Sequence, residues 1–361
     1  MKLSIISFTA RGLALSLTVQ KVLEQEIDVN VHTKYKIRSE TDKVPMKEKS
    51  NVRAEYINKD LLTWTGEQFQ SQNALLFIGA SGIAIRAIAP FVRDKLEDPA
   101  VLVMDEVGRF VIPVLSGHYG GANELAEIIA KKLGGTAVLT TATDVNRLFA
   151  VDVFARKNGL VICNRTGIKE VSSAVLTGET VTIAIAGNYQ GKLPEELTLV
   201  FYPVMGKTSV IVSPFAEDAG KTDLQLCPKA YIVGIGCRRG KPLSEIEEVV
   251  KKQLLKVGIR QESLASLASI DRKKEEVGLL EYAKKYHLPY QTFSEEELKH
   301  IPGEFTFSSF VQEQVGVDNV CERAAMAACK EGGRLLIRKY AENGITVAIA
   351  ERKWSVTFDE I

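Results

Sequence analysis

Phe110-Val-Ile-Pro-Val-Leu-Ser-Gly-His-Tyr-Gly-Gly-Ala-Asn-Glu124, continuing in helical rhythm to Leu133, is the stretch whose reading decides the fold. Phe110–Leu115 reads as a buried strand, Ser116–Gly121 as a polar glycine turn and Glu124–Leu133 as a helix. The same unit recurs upstream. Leu3–Phe8 leads through a Thr-Ala-Arg-Gly turn (Arg11–Gly12) into a helix, and Ala74–Ile78 leads through Gly79-Ala-Ser-Gly82 into Ile83–Val92. Ala100–Met104 reaches Phe110 through a hairpin-like Asp105–Arg109. Continuous apolar strands alternating with helices predict a largely parallel sheet covered on both faces.

Outward from this stretch the chain divides into three zones. Residues 1–136 form an N-terminal α/β domain. Residues 137–228 are mixed: Ala137–Thr141, Leu160–Cys163, Glu179–Ala186, Leu197–Met205 and Thr208–Ser213 read as strands, and Val151–Asn158 as a helix. Residues 229–361 return to the first style. A strand at Ala230–Ile235 enters the turn Gly236–Gly240, and Pro242 suits the start of helix Ser244–Val257. Leu264–Ser269 reads as a strand, Glu275–Tyr286 and Val320–Lys330 as helices. Leu335–Lys339 and Thr346–Ala350 make a closing hairpin about Glu342-Asn-Gly344. The expected fold class is α/β: N- and C-terminal domains with largely parallel sheets flanked by helices, joined by a small mixed α/β middle domain. Lys34–Arg53, lysine-rich and aperiodic, reads as a solvated excursion or as a basic rim for an anionic substrate.

Composition bounds the function. A chain of 361 residues exceeds the usual growth of one core. Its 45% hydrophobic and 25% charged residues are those of a globular protein. A net charge of +1, with both signs interspersed, supports neither a nucleic-acid nor a membrane-surface partner. No run reaches the roughly 18 apolar residues of a membrane span. The apolar start is broken by Arg11 and Gly12, so it reads as a strand and helix rather than a secretion signal. Five cysteines (Cys163, Cys227, Cys237, Cys321, Cys329) without a C-x-x-C pair indicate reduced thiols and a cytoplasmic location. His32, His118, His287 and His300 show no H-x-x-x-H spacing, so no metal site is expected.

Three glycine turns follow strands: Gly79–Gly82, Ser116–Gly121 and Gly234–Gly240. Glycine lets a ligand approach the backbone, and the helix that follows offers unpaired N–H groups. None is a nucleotide fingerprint, since Gly234, Gly236 and Gly240 give G-x-G-x-x-x-G, and Ser116 lacks the G-x-S-x-G elbow. Ser116–Glu124 is the turn densest in polar function. His118 is a candidate general base, Ser116 and Asn123 would orient the substrate, and the Gly120 and Gly121 amides would meet an oxyanion beside Gly117. The plainer alternative is that Asn123 caps the helix and His118 satisfies a backbone group. Acid–base work also fits Asp144 or Asp152, or Asp271, Lys273 and Glu276. Gly79, Ser81 and Gly82 would cradle substrate, and Arg86 would either clamp a carboxylate or solvate a helix face. Arg238 and Arg239 suit a carboxylate or phosphate and would lower the Cys237 thiol, whose plainer reading is a buried turn cysteine.

Five stretches together closely resemble the CbiG family, the cobalt-precorrin-5A hydrolases of anaerobic cobalamin biosynthesis. They are LSGHYGGANELAEIIA (Leu115–Ala130), TTATDVNRLFAVDVFA (Thr140–Ala155), GIGCRRG (Gly234–Gly240), the S-x-x-x-K-x-x-E-x-G-L run Ser269–Leu279, and GVDNVCERAAMAA (Gly316–Ala328). Residues 229–361 are similar to stand-alone CobE proteins. Val277 stands where relatives often carry proline, and Tyr119 where an aliphatic residue is common. The resemblance implies a hydrolase that opens the δ-lactone of cobalt-precorrin-5A with water, loses acetaldehyde and yields cobalt-precorrin-5B. It implies no separate cofactor, because cobalt is carried by the substrate, and transient contact with other enzymes of the pathway. The acetate and propionate arms of the macrocycle would need spaced anion sites, which the three turns supply. A carrier that shields the intermediate without catalysis would use the same turns, and a nucleotide-dependent enzyme is a third reading.

Overall fold

In β1 (Lys2–Ser7) every residue from Leu3 to Ser7 is buried, the signature of a strand inside a sheet covered on both faces. With β2 (Asp28–Thr33), β3 (Ala54–Tyr56), β4 (Ala74–Ile78), β5 (Val101–Met104), β6 (Phe110–Leu115) and β7 (Thr136–Ala137) it forms a seven-stranded sheet in the order β3-β2-β1-β4-β5-β6-β7. Helices α1 (Ala10–Leu23), α2 (Leu61–Gln70), α3 (Ser81–Ile88) and α4 (Ala122–Leu133) cover it. One face buries Leu3, Ile5 and Leu76 against Leu13 and Val19 of α1 and Leu125 and Ile129 of α4. The other buries Ile6 and Phe77 against Trp64 of α2 and Ala84 and Ile88 of α3. The computed structural model describes residues 2–36, 54–308, 316–330 and 332–359, in two compact units, Met1–Val153 and Phe154–Ile361.

The expectation of parallel strands holds from β1 to β5. β6 is antiparallel to β5, and β7 is parallel to β6. The five residues between β5 and β6 are too few for a parallel crossover. Instead the Asp105 carboxylate accepts from the Val107 and Phe110 amides at 2.9 and 2.6 Å and closes a tight turn. Sheet polarity therefore reverses at β6, so β6 and β7 end at the edge where β1 to β5 begin.

Several boundaries shift for local reasons. Arg11–Gly12 is not a turn but the first turn of α1, which Thr9 caps by accepting from the Gly12 amide at 3.0 Å. Ser81 and Gly82 likewise open α3 rather than precede it. The predicted strand Ala137–Thr141 shortens to β7, which the parallel pairing with β6 joins to the first sheet. The first unit thus runs on through α5 (Ala142–Asn146) to Val153, within α6 (Val151–Lys157), past the expected division at 136. β2 and α2 were not anticipated. Of the lysine-rich Lys34–Arg53, residues 37–53 lie outside the described residues.

The second unit holds two five-stranded sheets. β8 (Val161–Ile162), β9 (Val181–Ile185), β11 (Leu197–Val200), β12 (Thr208–Val212) and β13 (Thr222–Cys227) take the order β11-β9-β12-β13-β8, only β8 being antiparallel. The strand expected over Leu197–Met205 ends at Val200, short of Pro203. β14 (Tyr231–Cys237), β15 (Leu264–Ile270), β16 (Tyr290–Phe293), β17 (Arg334–Glu342) and β18 (Ile345–Glu351) take the order β16-β15-β14-β18-β17. β14 to β16 are parallel, while β17 and β18 form the expected hairpin, with Asn343 and Gly344 at φ 51° and 74°. Val233 and Ile235 pack against α8 (Leu243–Lys256) and α9 (Val277–Lys285), and Ile232 against α11 (Cys321–Cys329). Among the described residues no helix is long and apolar enough to cross a membrane.

β14 runs further than expected, so Gly234, Gly236 and Cys237 are strand residues rather than a ligand-facing turn. At Gly234 a Cβ would stand 1.9 Å from the Cys321 carbonyl oxygen and 2.8 Å from the Ala325 nitrogen. The missing side chain lets the α11 backbone lie directly on β14. Gly234→Ala should force the two apart and lower stability by roughly 1–3 kcal/mol, the usual penalty of overpacking. A urea-unfolding midpoint equal to that of the wild type would contradict this role.

Candidate active site

Because β6 and β7 are adjacent and parallel, the segments that leave their carboxyl ends lie at the same edge of the sheet. Ser116 at φ 54° turns the chain off β6, and Gly121 at φ 82° caps α4. Three backbone bonds close the turn: Gly121 N–H to His118 O at 3.0 Å, Ala122 N–H to Ser116 O at 3.1 Å and Asn123 N–H to Gly117 O at 3.0 Å. A Cβ on Gly117 would lie 2.6 Å from Asn123 Oδ1, and one on Gly120 2.4 Å from Ser116 Cβ. These two glycines let the turn fold onto its own side chains.

His118 and Asn123 come from the β6 side. Thr141, Thr143 and Asp144 come from the β7 side, and Asp152 from the first turn of α6. His118 Nε2 lies 2.8 Å from Asp144 Oδ2, and Nδ1 lies 3.2 Å from Asp152 Oδ1. Asn123 Nδ2 donates to the same Asp144 oxygen at 2.6 Å and stands 3.3 Å from Thr141 Oγ1. Thr143 Oγ1 is 3.2 Å from His118 Nε2. Side-chain exposure is 11% for Asp152, 14% for His118 and 23% for Asp144, so Asp144 is the most open to solvent of the three.

A buried carboxylate is costly unless a cation answers it. The hydrogen bond that His118 donates to Asp152 raises the His118 pKa above its ordinary 6.5; burial opposes this, while the charges of Asp152 and Asp144 and the bond to Asp144 assist it. Burial pushes Asp152 upward, yet the bond and charge of His118, the Val153 amide and Lys95 together hold it below the ordinary 3.8. The raised pKa favours the imidazolium, the form in which both ring nitrogens donate, one to each carboxylate. In that form the ring is an acid, whereas the general base expected from the sequence is its neutral form. The two carboxylates lie on opposite sides of the ring, and among the described residues no cluster of three or more His, Cys, Asp or Glu groups is arranged to hold a metal.

The structure joins two readings the sequence kept apart, the His118 turn and the pair Asp144 and Asp152. Asn123 is not the helix cap, because Gly121 holds that place. The Gly121 amide is spent on His118 O, so the expected oxyanion pair with Gly120 does not form in this arrangement. Ser116 Oγ is buried with no hydrogen-bond partner among the described residues, and His118 does not bond to it. Gly79, Ser81, Gly82 and Arg86 follow the carboxyl end of β4, at the opposite edge of the sheet, and Arg86 Nη1 reaches Gly82 O at 3.5 Å. They do not join His118. Thr141, Thr143 and Lys95 escaped the sequence reading; the threonines stand inside the quoted TTATD run, whereas no pattern marks Lys95.

In the second unit the Gly236–Gly240 turn and the Ser269–Leu279 run meet. The Gly240 amide donates to Glu276 Oε1 at 2.5 Å, and Lys273 Nζ lies 2.8 Å from Glu276 Oε2. Burial pushes Glu276 up, but Lys273 and the Gly240 amide hold it below the ordinary carboxylate range. A cleft of about 720 Å³ opens there, lined by Arg239, Lys241, Arg272, Lys273 and Glu276 among others. Asp271 and Arg238 are exposed and do not line it, and the Arg238 amide bonds Gly344 O at 2.9 Å. The Cys237 thiol is raised by burial, against the pull of Lys273 and Lys241, which favours the plainer reading of a part-buried cysteine over a thiolate. A larger cavity of about 910 Å³ along α1, β2 and β3 shares no residue with either site.

Comparison with known sequences matches three successive regions of the chain. The family described as cobalamin synthesis G N-terminal matches residues 63–144, the cobalamin biosynthesis central region 149–228, and the cobalamin synthesis G C-terminus 231–350. The chain is 35% identical over 297 residues to the cobalt-precorrin-5A hydrolase of Salmonella typhimurium, covering 78% of this chain and 83% of that one. It is 33% identical over 301 residues to the cobalt-precorrin-5A hydrolase of Priestia megaterium, covering 78% and 79%. Over 125 residues it is 26% identical to protein CobE of a Sinorhizobium species, covering 33% of this chain and 78% of that protein.

Linkage fixes the sign of the pH dependence. His118, raised on folding, stabilises the first unit fully below about pH 6.5 and ceases to as pH rises through its elevated folded pKa. Asp152, lowered on folding, stabilises it above about 3.8 and ceases to as pH falls through its depressed folded pKa. NMR titration of the imidazole should give a midpoint above 6.5 that drops in Asp152→Asn. A wild-type midpoint at or below 6.5 would contradict the paired imidazolium.

Proposed function

We infer the function from a plain kinship: this chain belongs to the CbiG family of cobalamin synthesis, so the reaction it performs is hydrolysis of cobalt-precorrin-5A. The δ-lactone opens, acetaldehyde leaves and cobalt-precorrin-5B remains. The observation that supports His118 as the centre of this chemistry is its bonding to one buried and one more open carboxylate.

Lactone hydrolysis needs a base for the attacking water and an acid for the departing alkoxide, and a carboxylate beside an imidazolium is such a pair. Asp144 takes a proton from water as the oxygen bonds to the lactone carbonyl carbon. When the ring C–O bond breaks, His118 Nε2–H delivers its proton to the alkoxide, leaving a carboxylic acid and a free hydroxyl. His118 is then neutral and becomes the base. It removes the hydroxyl proton, the C–C bond breaks, and the electron pair passes into the macrocycle as acetaldehyde departs. The proton on Asp144 goes to the macrocycle carbon, which restores both residues. Asp152 keeps the ring oriented throughout, and Asn123 fixes the Asp144 oxygen that faces His118. Cobalt enters with the substrate, and these steps draw on no further cofactor.

The substrate's carboxylate arms require cations. Arg239, Lys241, Arg272 and Lys273 give the second-unit cleft, taken by itself, the charge to bind a carboxylate-bearing ligand. The setting we assign is the cytoplasm, a reducing compartment that suits a chain without a C-x-x-C pair.

With purified protein and cobalt-precorrin-5A, His118→Gln and Asp144→Asn should each slow acetaldehyde release by about 10²-fold or more, with the macrocycle still bound. Wild-type protein that binds the macrocycle and releases no acetaldehyde would make the chain a carrier and overturn the hydrolase reading. A full rate in His118→Gln would remove that residue from the chemistry.

A further inference from the structure

We propose that Cys163 and Cys227 form a reversible dithiol–disulfide pair, oxidised by a low-molecular-weight disulfide and separate from the hydrolytic chemistry. The β8–β13 register pairs Cys227 with Val161, and the Cys163 amide continues that ladder by donating to Gln225 O at 3.0 Å. Residues two apart on a strand share a face, so Cys163 and Cys227 project from the same side of the pair. Their sulfurs stand 2.7 Å apart, both as free thiols. That separation is well inside non-bonded contact and not far from the roughly 2.05 Å of an S–S bond.

The two thiols differ in access. Cys163 is half-buried and reachable by a small oxidant, whereas Cys227 is buried. Its bond to Cys163, then burial, pushes the Cys227 thiol up, with Ser263 and Arg260 opposing. Cys163 therefore reacts first. Its thiolate attacks one sulfur of the external disulfide, whose S–S bond breaks to release one small thiol. Cys227 then loses its proton and attacks Cys163 Sγ, expelling the second small thiol. Two electrons pass from the pair to the external disulfide, and the two protons end on the released thiols. The new bond ties the two-residue edge strand β8 to β13 and closes a long loop, which restricts the unfolded chain.

The reduced full-length protein, equilibrated with glutathione and glutathione disulfide at graded ratios, then acid-quenched, denatured and alkylated, tests this. The oxidised protein should weigh less by two hydrogens before alkylation, with the peptides of Cys163 and Cys227 linked. Its Tm should rise by roughly 5 °C, reversibly on adding dithiothreitol. Cys227→Ser should instead hold a lasting mixed disulfide with glutathione on Cys163. Alkylation of every cysteine at the most oxidising ratio, a link through Cys237, Cys321 or Cys329, or no lasting adduct in Cys227→Ser would each overturn the proposal.

Discussion

Asp152 cannot stay ionised at its depth without a cation, and the cation is His118. That one pairing connects the element after β7 to the turn after β6. It orients the ring, favours its charged form, and leaves Nε2 facing Asp144. Asn123 has a place in this arrangement only because Gly117 and Gly120 allow the turn to fold against it. The reversal of strand direction at β6 is equally necessary. With β6 parallel to β5, its loop would have opened at the edge that Gly79 and Arg86 occupy, away from any partner carboxylate.

Much of this was legible in the sequence. Strands such as Ala74–Ile78 and Phe110–Leu115 declare themselves by continuous apolar runs, and both were placed to the residue, but of the second only Val111 is buried, because it lies near the sheet edge beside the short β7. β2 was missed because Asp-Val-Asn-Val-His-Thr alternates and carries few strong apolar residues. The turn at Asp105–Arg109 was seen, but its consequence for the direction of β6 was not drawn, so the edge that holds the site could not be assigned. His118, Asn123, Asp144 and Asp152 were all singled out. What sequence could not supply was their convergence, because the 25 residues between His118 and Asp144 hide a helix and a return strand. A pKa follows from such neighbours alone, so the upward pull of Asp152 and Asp144 on His118 could not be read from the sequence.

In the second unit, similar reasoning corrected glycine and cysteine together. Gly234 resembled part of a ligand turn, yet its missing side chain serves the contact between α11 and β14. Cys237, flanked by arginines in sequence, has its thiol set by burial. Sequence neighbours are not spatial neighbours, and the guanidinium of Arg239 turns to the cleft shared with Lys273 and Glu276. The two motifs that meet there, some thirty residues apart, were each weak evidence alone. Their meeting gives the second unit a charged cleft of its own.

The central claim is that His118 enters the reaction protonated. The most direct measurement is the pH dependence of kcat/KM for acetaldehyde release, which reports groups of the free enzyme. The account predicts a loss of activity as pH rises through the elevated pKa of His118, above 6.5, with that limb moving to lower pH in Asp152→Asn. A kcat/KM that instead increases with pH across the same range would show His118 acting as the base and would contradict the account.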